Sequence, residues 1–468
     1  MPEHILFLTG HLAHKSLSQV LAGMQSAPFT HEVRDIGISV AGLMTADMIR
    51  RRVSAPVAAD RVMVPGRCRG DLVALSAHYG VPVVRGPDEL KDIPAHFGRR
   101  GAPPDLSRHD IRIFAEIVDA PRMRVEEIVA RARRYVADGA DVIDLGCLPE
   151  TPFPHLEAAV AALKGEGYAA SVDSLAPEEL LRGGRAGADY LLSLTEDTLW
   201  IADEVASAPV LIPARAGDLE SLFRAVRAMQ ARGRAFLADA ILDPIHFGLT
   251  GSIVRYHRLR AEFPDVAIMM GTGNVSELTD ADTSGIHAVL LGIASELGIT
   301  AVLTTEVSPH ARRAVKEIDA GRRMFHAARQ ANALPRDFSP ALLTVHERRP
   351  FPDSPDEIAE RARAVRDPSF RVQVSEVGIH VYNRDGHHLA GDPFDLFPAL
   401  RLEGDGAHAF YMGVELGRAQ TAWQLGKRYA QDEPLDWGCA ADRPPQDLSA
   451  HHAPGATLRP RKAGEGGS

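Results

Sequence analysis

The chain has 468 residues, more than one hydrophobic core ordinarily organises, so two or three domains are expected. Hydrophobic residues make up 45% and charged residues 24%, a balance that excludes a largely disordered chain. The formal charge of −10 excludes nonspecific nucleic-acid binding through a generally basic surface, while leaving room for a local basic pocket that takes a small anion.

Cys68, Cys147 and Cys439 are far apart and form no Cys-x-x-Cys pair, which points to a reducing compartment and away from a zinc ribbon. The opening MPEHILFLTGHLAHKS has only a brief apolar run, and no later stretch reaches membrane-spanning length. A cytoplasmic protein without membrane or nucleic-acid partners is expected.

HILFLTG (4–10), ADRVMVPG (59–66) and GVPVVRGP (80–87) are strand candidates separated by helix-like stretches, and they predict a small parallel α/β domain over 1–105. Such sheets bind ligands beyond their carboxyl edges, which directs attention to Gly10, His11 and His14 after one strand and to Gly66, Arg67 and Arg69 after another. The same Gly-His and Pro-Gly pairs also serve as ordinary turns. GRRGAPPDLSRHD (98–110) reads as a linker.

From 111 the pattern becomes regular. IRIFAEI, ADVIDLG, YAASVDS, ADYLLSL, APVLIPA, RAFLADAI, VAIMMGT and ITAVLTT are eight β-like stretches between 111 and 305, with amphipathic helical stretches between them. Eight such units predict a (β/α)₈ barrel over 106–345, in which catalytic side chains belong at the carboxyl ends of the strands. Polar residues collect there: Asp144, Asp173, Ser193 with Thr195, Asp239 with Asp243, Asn274 and Glu306. Any one of these is an ordinary cap or turn residue, but their repetition at the same end of successive units favours a shared site. No His-Glu-x-x-His, His/Cys cluster or Walker motif is present, and the histidines, among them His11, His246, His287, His310, His387 and His388, define no metal site by spacing. In MMGTGNVSELTDADTSG (269–285), Glu277 and Asp280 are candidate Mg²⁺ organisers, although Asp280 and Asp282 equally suit a cap for the following helix.

RVQVSEVGIHVYNRDGHHLAGDPFDLFPAL has strand periodicity broken by a hairpin turn signal at NRDGHH, and the residues after it read as helix. A small α+β domain is expected over 346–445, with Phe410, Tyr411, Leu416 and Trp423 in its core and either a packing or homo-oligomerisation role or one of covering the barrel mouth or contacting its ligand. A tail is expected over 446–468.

VIDLG, ASVDS and AILDPIHFG resemble strand endings of dihydropteroate synthase, and MMGTGNVSELTDADTSGIHAVLLGIASELGITAVLTTEVSPHARRAV resembles the dihydropteroate synthase-like proteins of archaea and methylotrophic bacteria. The resemblance implies condensation of a 6-hydroxymethyl-7,8-dihydropterin diphosphate with an aromatic amine, releasing diphosphate with the help of Mg²⁺. In the tetrahydromethanopterin branch the amine is 4-(β-D-ribofuranosyl)aminobenzene 5'-phosphate. Carried over by motif, Asp173 and Asp243 match pterin-binding carboxylates and Asp144 is a further second-strand match. Ser193 or Thr195 stands where the family presents an Asn. Thr272, Asn274, Ser308, His310 and Arg312 stand where folate enzymes carry Ser-Arg-Lys and Arg/His motifs, and become candidate substrate contacts. Two rivals remain open: a noncatalytic pterin-binding or methyltetrahydropterin-dependent methyl-transfer module, and a structural subunit of a cofactor-biosynthesis complex.

Overall fold

The computed structural model describes residues 2–24, 29–88, 90–97 and 104–443; the tail expected over 446–468 and residues 98–103 of the expected linker lie outside the described residues. Two units are distinguished: Asp105–Thr344 with Trp437–Asp442, and Met1–Pro104 with Val345–Asp436 and Arg443–Ser468. The two flanking segments, which the sequence separates as 1–105 and 346–445, therefore belong to one unit.

In that unit, β1 (Glu3–Thr9), β2 (Phe29–Asp35), β3 (Arg61–Val64) and β4 (Val83–Arg85) form a parallel sheet in the order β2-β1-β3-β4. The sequence reading finds β1, β3 and β4 and misses β2. FTHEVRD is an edge strand whose middle residues face water, so it lacks the apolar alternation that marks a half-buried strand.

The other unit is a (β/α)₈ barrel. Its strands are β5 (Arg112–Ile117), β6 (Val142–Gly146), β7 (Ala169–Asp173), β8 (Tyr190–Leu194), β9 (Ala208–Leu211), β10 (Leu237–Ala238), β11 (Met269–Gly271) and β12 (Ala301–Thr305). All are parallel, in the order β10-β9-β8-β7-β6-β5-β12-β11, and a parallel bridge between Ala238 and Ile268 joins the two ends of the ring. Period-2 alternation divides each strand's side chains between two cores. Phe114, Val142, Leu192, Val210, Leu237, Met269 and Ala301 pack inside the ring. Ile113, Ala115, Ile143, Leu145, Ala170 and Val172 pack outward against the helices. The same parity decides which residues reach the mouth, as shown below.

Arg322, on the helix Ala314–Gln330, is buried where the ring begins. It donates to the carbonyls of Ile111 at 2.6 Å and Gly139 at 2.9 Å, and it pairs with Asp319 at 2.7 Å and with Asp141. The last helix of the barrel is thereby tied to the segments leading into its first two strands.

Beyond the barrel, β13 (Arg371–Ser375), β14 (Gly378–Asn383) and β15 (Gly386–Ala390) form an antiparallel meander, followed by the helices Pro393–Leu400 and Gly406–Leu425. Leu416 is buried and Tyr411 and Trp423 are partly so, but Phe410 is 76% exposed, which corrects its expected place in the core. The buried stripe of its helix runs through Met412, Glu415, Leu416, Ala419 and Ala422, and Phe410 lies off that stripe. Among the described residues, no helix is long and apolar enough to cross a membrane.

Replacing Arg322 by Met should destabilise the barrel unit by about 3–5 kcal/mol, because two buried carbonyls and two carboxylates lose their partner. A melting temperature lowered by roughly 10 °C in thermal unfolding is expected; an unchanged value would show that the clamp contributes nothing.

Candidate functional site

Counting inward from the apolar layer of the barrel, the next inward-facing position on β5 after Phe114 is Glu116, on β6 after Val142 is Asp144, and on β10 after Leu237 is Asp239. On β7, Ala169, Ser171 and Asp173 share the inward parity. Register places Glu116 beside Asp144 and Asp144 beside Ser171, with Asp173 beside Gly146. One polar layer at the carboxyl end of the strands therefore gathers acids from separate chain segments.

The carboxylate oxygens of Glu116, Asp144 and Asp173 lie within 4.8 Å of one another. Asp144 is fully buried, with one oxygen accepting from the Ser171 hydroxyl and Oδ2 holding no hydrogen bond. The Ser193 side chain favours the charged form of Asp173, and Asp239 accepts from the Tyr256 hydroxyl and from the Ile241 N–H at 2.7 Å. Gly146 makes the crowding sterically feasible: a Cβ built there would lie 2.5 Å from Glu116 Oε1.

Such proximity in a poorly solvated layer disfavours simultaneous ionisation. Burial, reinforced by the charge of Asp173, pushes Glu116 up to about 8. Burial and the neighbouring Asp239 push Asp173 up to about 7, against the stabilising Ser193 hydrogen bond. Burial followed by repulsion from Asp173 and Glu116 raises Asp144 well above the carboxylate range. Asp239 is pushed up to about 6 by burial, its hydrogen bonds from Tyr256 and Ile241 opposing the rise. At neutral pH the cluster therefore retains protons, which a ligand bearing N–H donors or a divalent cation could replace.

The loops around this floor are fixed by bonds of their own. Asp243, after β10, accepts from Arg255 Nη2 at 2.6 Å, and the same nitrogen donates to the Ile241 carbonyl at 2.9 Å. Gly248 faces that carboxylate, and a Cβ on it would lie 2.7 Å from Asp243 Oδ2. Asn274 is exposed after β11, but its Nδ2 donates to the Leu242 carbonyl at 2.8 Å and joins the sixth and seventh strand loops. Leu175, Phe247, Leu278 and Val307 are exposed apolar side chains on the loops after β7, β10, β11 and β12.

Several expected contacts have other roles in the structure. Thr272 is fully buried and donates to the Leu303 carbonyl at 3.1 Å; Met269 and Gly271 have the inward parity of β11, so Thr272 has the outward one. Thr195 accepts and donates within the short turn that follows β8, where its N–H meets Thr198 Oγ1 at 2.9 Å. Glu277 accepts from Thr305 Oγ1 at 2.9 Å and from the N–H groups of Val307 at 2.8 Å and Ser308 at 2.7 Å. Burial works upward on Glu277, but the hydrogen bonds from Ser308, Val307 and Thr305 hold it below its ordinary range. Both Glu277 oxygens are thus engaged and Asp280 is exposed; among the described residues the group of three carboxylates close enough to hold an ion is Glu116, Asp144 and Asp173. Asp282 precedes the helix Thr283–Glu296 without a capping side-chain bond. His310 Nε2 meets the Ser276 carbonyl at 3.1 Å, and exposed Arg312 donates to the Pro309 carbonyl at 3.1 Å. Glu306 has outward parity and meets Arg134 at 3.2 Å on the helix Val125–Ala137. The structure thus joins Asp144, Asp173 and Ser193, and adds Glu116, Ser171 and Tyr256. Only alternation carried through IRIFAEI could have placed Glu116 in the sequence.

The model for a family of unknown function, DUF6513, matches residues 3–88. Uncharacterized protein MJ0107 of Methanocaldococcus jannaschii is 24% identical over 523 aligned positions, covering 92% of this chain and 98% of the relative. Among solved structures, the Yersinia pestis dihydropteroate synthase in a sulfonamide complex is 17% identical with a TM-score of 0.39, covering 50% of this chain and 98% of that one. The Thermus thermophilus dihydropteroate synthase in complex with 6HMPPP is 22% identical with a TM-score of 0.37, covering 48% and 95%. The barrel assignment rests on strand order and closure and not on these scores.

The raised acids have a defined sign in stability. Their protons are bound more tightly in the folded state, so their contribution is fully present below about pH 4 and is lost as pH rises through 6 to 8. Each tenfold gain in proton affinity on folding corresponds to about 1.4 kcal/mol. The barrel's melting temperature, measured by calorimetry, should therefore fall between pH 5 and pH 9, and Glu116→Gln should flatten that fall. An identical pH slope in the variant would contradict the cluster's electrostatics.

Proposed function

We propose that the barrel binds a pterin and acts as a dihydropteroate synthase-like transferase. In this reading it condenses 6-hydroxymethyl-7,8-dihydropterin diphosphate with 4-(β-D-ribofuranosyl)aminobenzene 5'-phosphate, releasing diphosphate in tetrahydromethanopterin synthesis. The observation that carries the proposal is the acidic floor formed by Glu116, Asp144 and Asp173, with Ser193 supporting Asp173. A pterin presents amino and ring N–H donors along one flat edge, and fixed carboxylates orient such an edge as an apolar wall cannot. The resemblance through VIDLG, ASVDS and AILDPIHFG supports the choice of heterocycle.

Asp173 serves as an acceptor, with the buried Asp144 carboxyl packed beside it, and Asp243, fixed by Arg255, supplies a further acceptor from the β10 loop. The amine nitrogen attacks the exocyclic CH₂, its lone pair forming the C–N bond while the C–O pair leaves with diphosphate; an amine proton then departs. Holding the two reactants in line removes much of an entropic barrier whose ceiling is roughly 7 to 11 kcal/mol. Mg²⁺ accompanying the substrate would neutralise charge on the diphosphate; a divalent cation held by the carboxylate trio would instead compete with the pterin edge for it.

A second reading, pterin binding for methyl transfer or without catalysis, draws support from Asn274. It carries no charge for a departing diphosphate, and its amide nitrogen is engaged by Leu242. The readings separate when purified protein is incubated with the pterin diphosphate, Mg²⁺ and either the phosphorylated aryl riboside or p-aminobenzoate, with adduct and diphosphate measured by mass spectrometry. Adduct with the riboside is expected; pterin binding without either adduct would favour the second reading, and product with p-aminobenzoate alone would redirect the activity to folate synthesis.

Asp173→Asn should weaken pterin binding by about 1–3 kcal/mol, measured by calorimetric titration, because an acceptor at the heterocycle edge is lost. Its melting temperature at pH 8 should hold or rise, since a neutral amide removes repulsion from the buried layer. Unchanged pterin affinity would eliminate Asp173 as an anchor.

A further inference from the structure

The parallel sheet of the other unit reverses its winding beside β1: β2 lies on one side and β3 on the other. At such a reversal the connections after neighbouring strands diverge to opposite faces, leaving a crevice outside their carboxyl ends. A cavity of about 560 Å³ occupies this place, reaching the ends of β1 at Thr9, β3 at Val64 and β4 at Gly86. Its size falls within the range of small-molecule sites.

The C-terminal segment of the same unit supplies one wall, in which the polar groups bond largely to each other. The Tyr382 hydroxyl donates to Gln373 Oε1 at 2.6 Å, and Arg361 Nη1 reaches Gln373 Oε1 at 2.9 Å and Asp353 Oδ2 at 3.1 Å. Arg67 is drawn toward Glu433 at 3.5 Å. That wall contributes shape more than hydrogen-bonding capacity. Across from it are the apolar side chains of Phe7, Leu12, Val20, Met63 and Ile93.

Asp88 lies on the loop after β4 and is exposed to the cavity, without a side-chain partner among the described residues. Its position depends on Gly66 in the turn after β3, where a Cβ would lie 2.5 Å from Asp88 Oδ1 and 2.7 Å from the Pro87 backbone. Ser16 and Gln19, on the helix His11–Ala22, also line the space. An apolar recess with an open carboxylate at its edge, unpartnered among the described residues, suits a flat ring carrying hydroxyl donors: the ring displaces water from the recess, and paired hydroxyls donate to the carboxylate.

We propose that this cavity is a second small-molecule site, separate from the barrel mouth, and that it takes an uncharged ligand of the nucleoside class. Asp88 accepts from the sugar hydroxyls, and the face of Leu12, Val20 and Met63 covers the ring. The proposal is independent of the pterin reading.

Adenosine is the probe, with binding to the full chain read by saturation-transfer NMR and calorimetric titration. Submillimolar binding is expected, weakened at least tenfold by Asp88→Asn and by Ser16→Phe, which fills the recess from a position with no side-chain bond to lose. Melting curves establish that both variants remain folded, and Asp173→Asn should leave adenosine affinity unchanged. No adenosine binding, undiminished affinity in folded Asp88→Asn and Ser16→Phe, or loss of binding only in Asp173→Asn would overturn the proposal.

Discussion

The carboxylates of Glu116, Asp144 and Asp173 converge at one end of the barrel because strand alternation gives them no other direction to face. Their mutual repulsion opposes folding, and burial sharpens it. An apolar layer lies immediately below, with Phe114, Val142 and Ala169 on the same three strands, so the polar layer is unnecessary for filling the ring. Its chemical consequence is a floor that requires protons, a cation or ligand N–H groups to balance it.

Around that floor, much of the surrounding polarity maintains geometry. Glu277 gathers donors from the loop after β12, Arg255 fixes the loop bearing Asp243, and Asn274 ties the loops after β10 and β11 together. These bonds explain how long connections can present a defined mouth while the reactive positions remain on or beside strands. In the other unit, the same principle operates with a different sheet: the carboxyl edge of β1, β3 and β4 supplies a cavity, and glycine at 66 permits the β4 loop to approach.

The eight barrel strands were legible because each is a short apolar run separated from the next by an amphipathic helix. Asp144 and Asp173 were legible because each follows apolar residues near the end of its run. Glu116 was hidden by the same rule, since IRIFAEI reads first as a hydrophobic strand and its single inward acid becomes informative only after Phe114 is known to face the ring. Thr272, a candidate through its place where folate enzymes carry a Ser-Arg-Lys motif, is buried and turned by parity toward Leu303. Glu277 was chemically suitable for a cation, yet the sequence could not reveal the backbone donors that would occupy it. The edge strand β2 and exposed Phe410 were missed for a related reason, as solvent exposure on one side depends on neighbours distant in the chain.

The acidic floor is tested most directly by calorimetric titration of 7,8-dihydropterin into the protein at pH 7.5, repeated in two buffers with different ionisation enthalpies. Binding accompanied by proton release is expected, because the heterocycle's N–H donors replace protons held among Glu116, Asp144 and Asp173. Absence of binding, or binding whose heat is independent of the buffer, would contradict it.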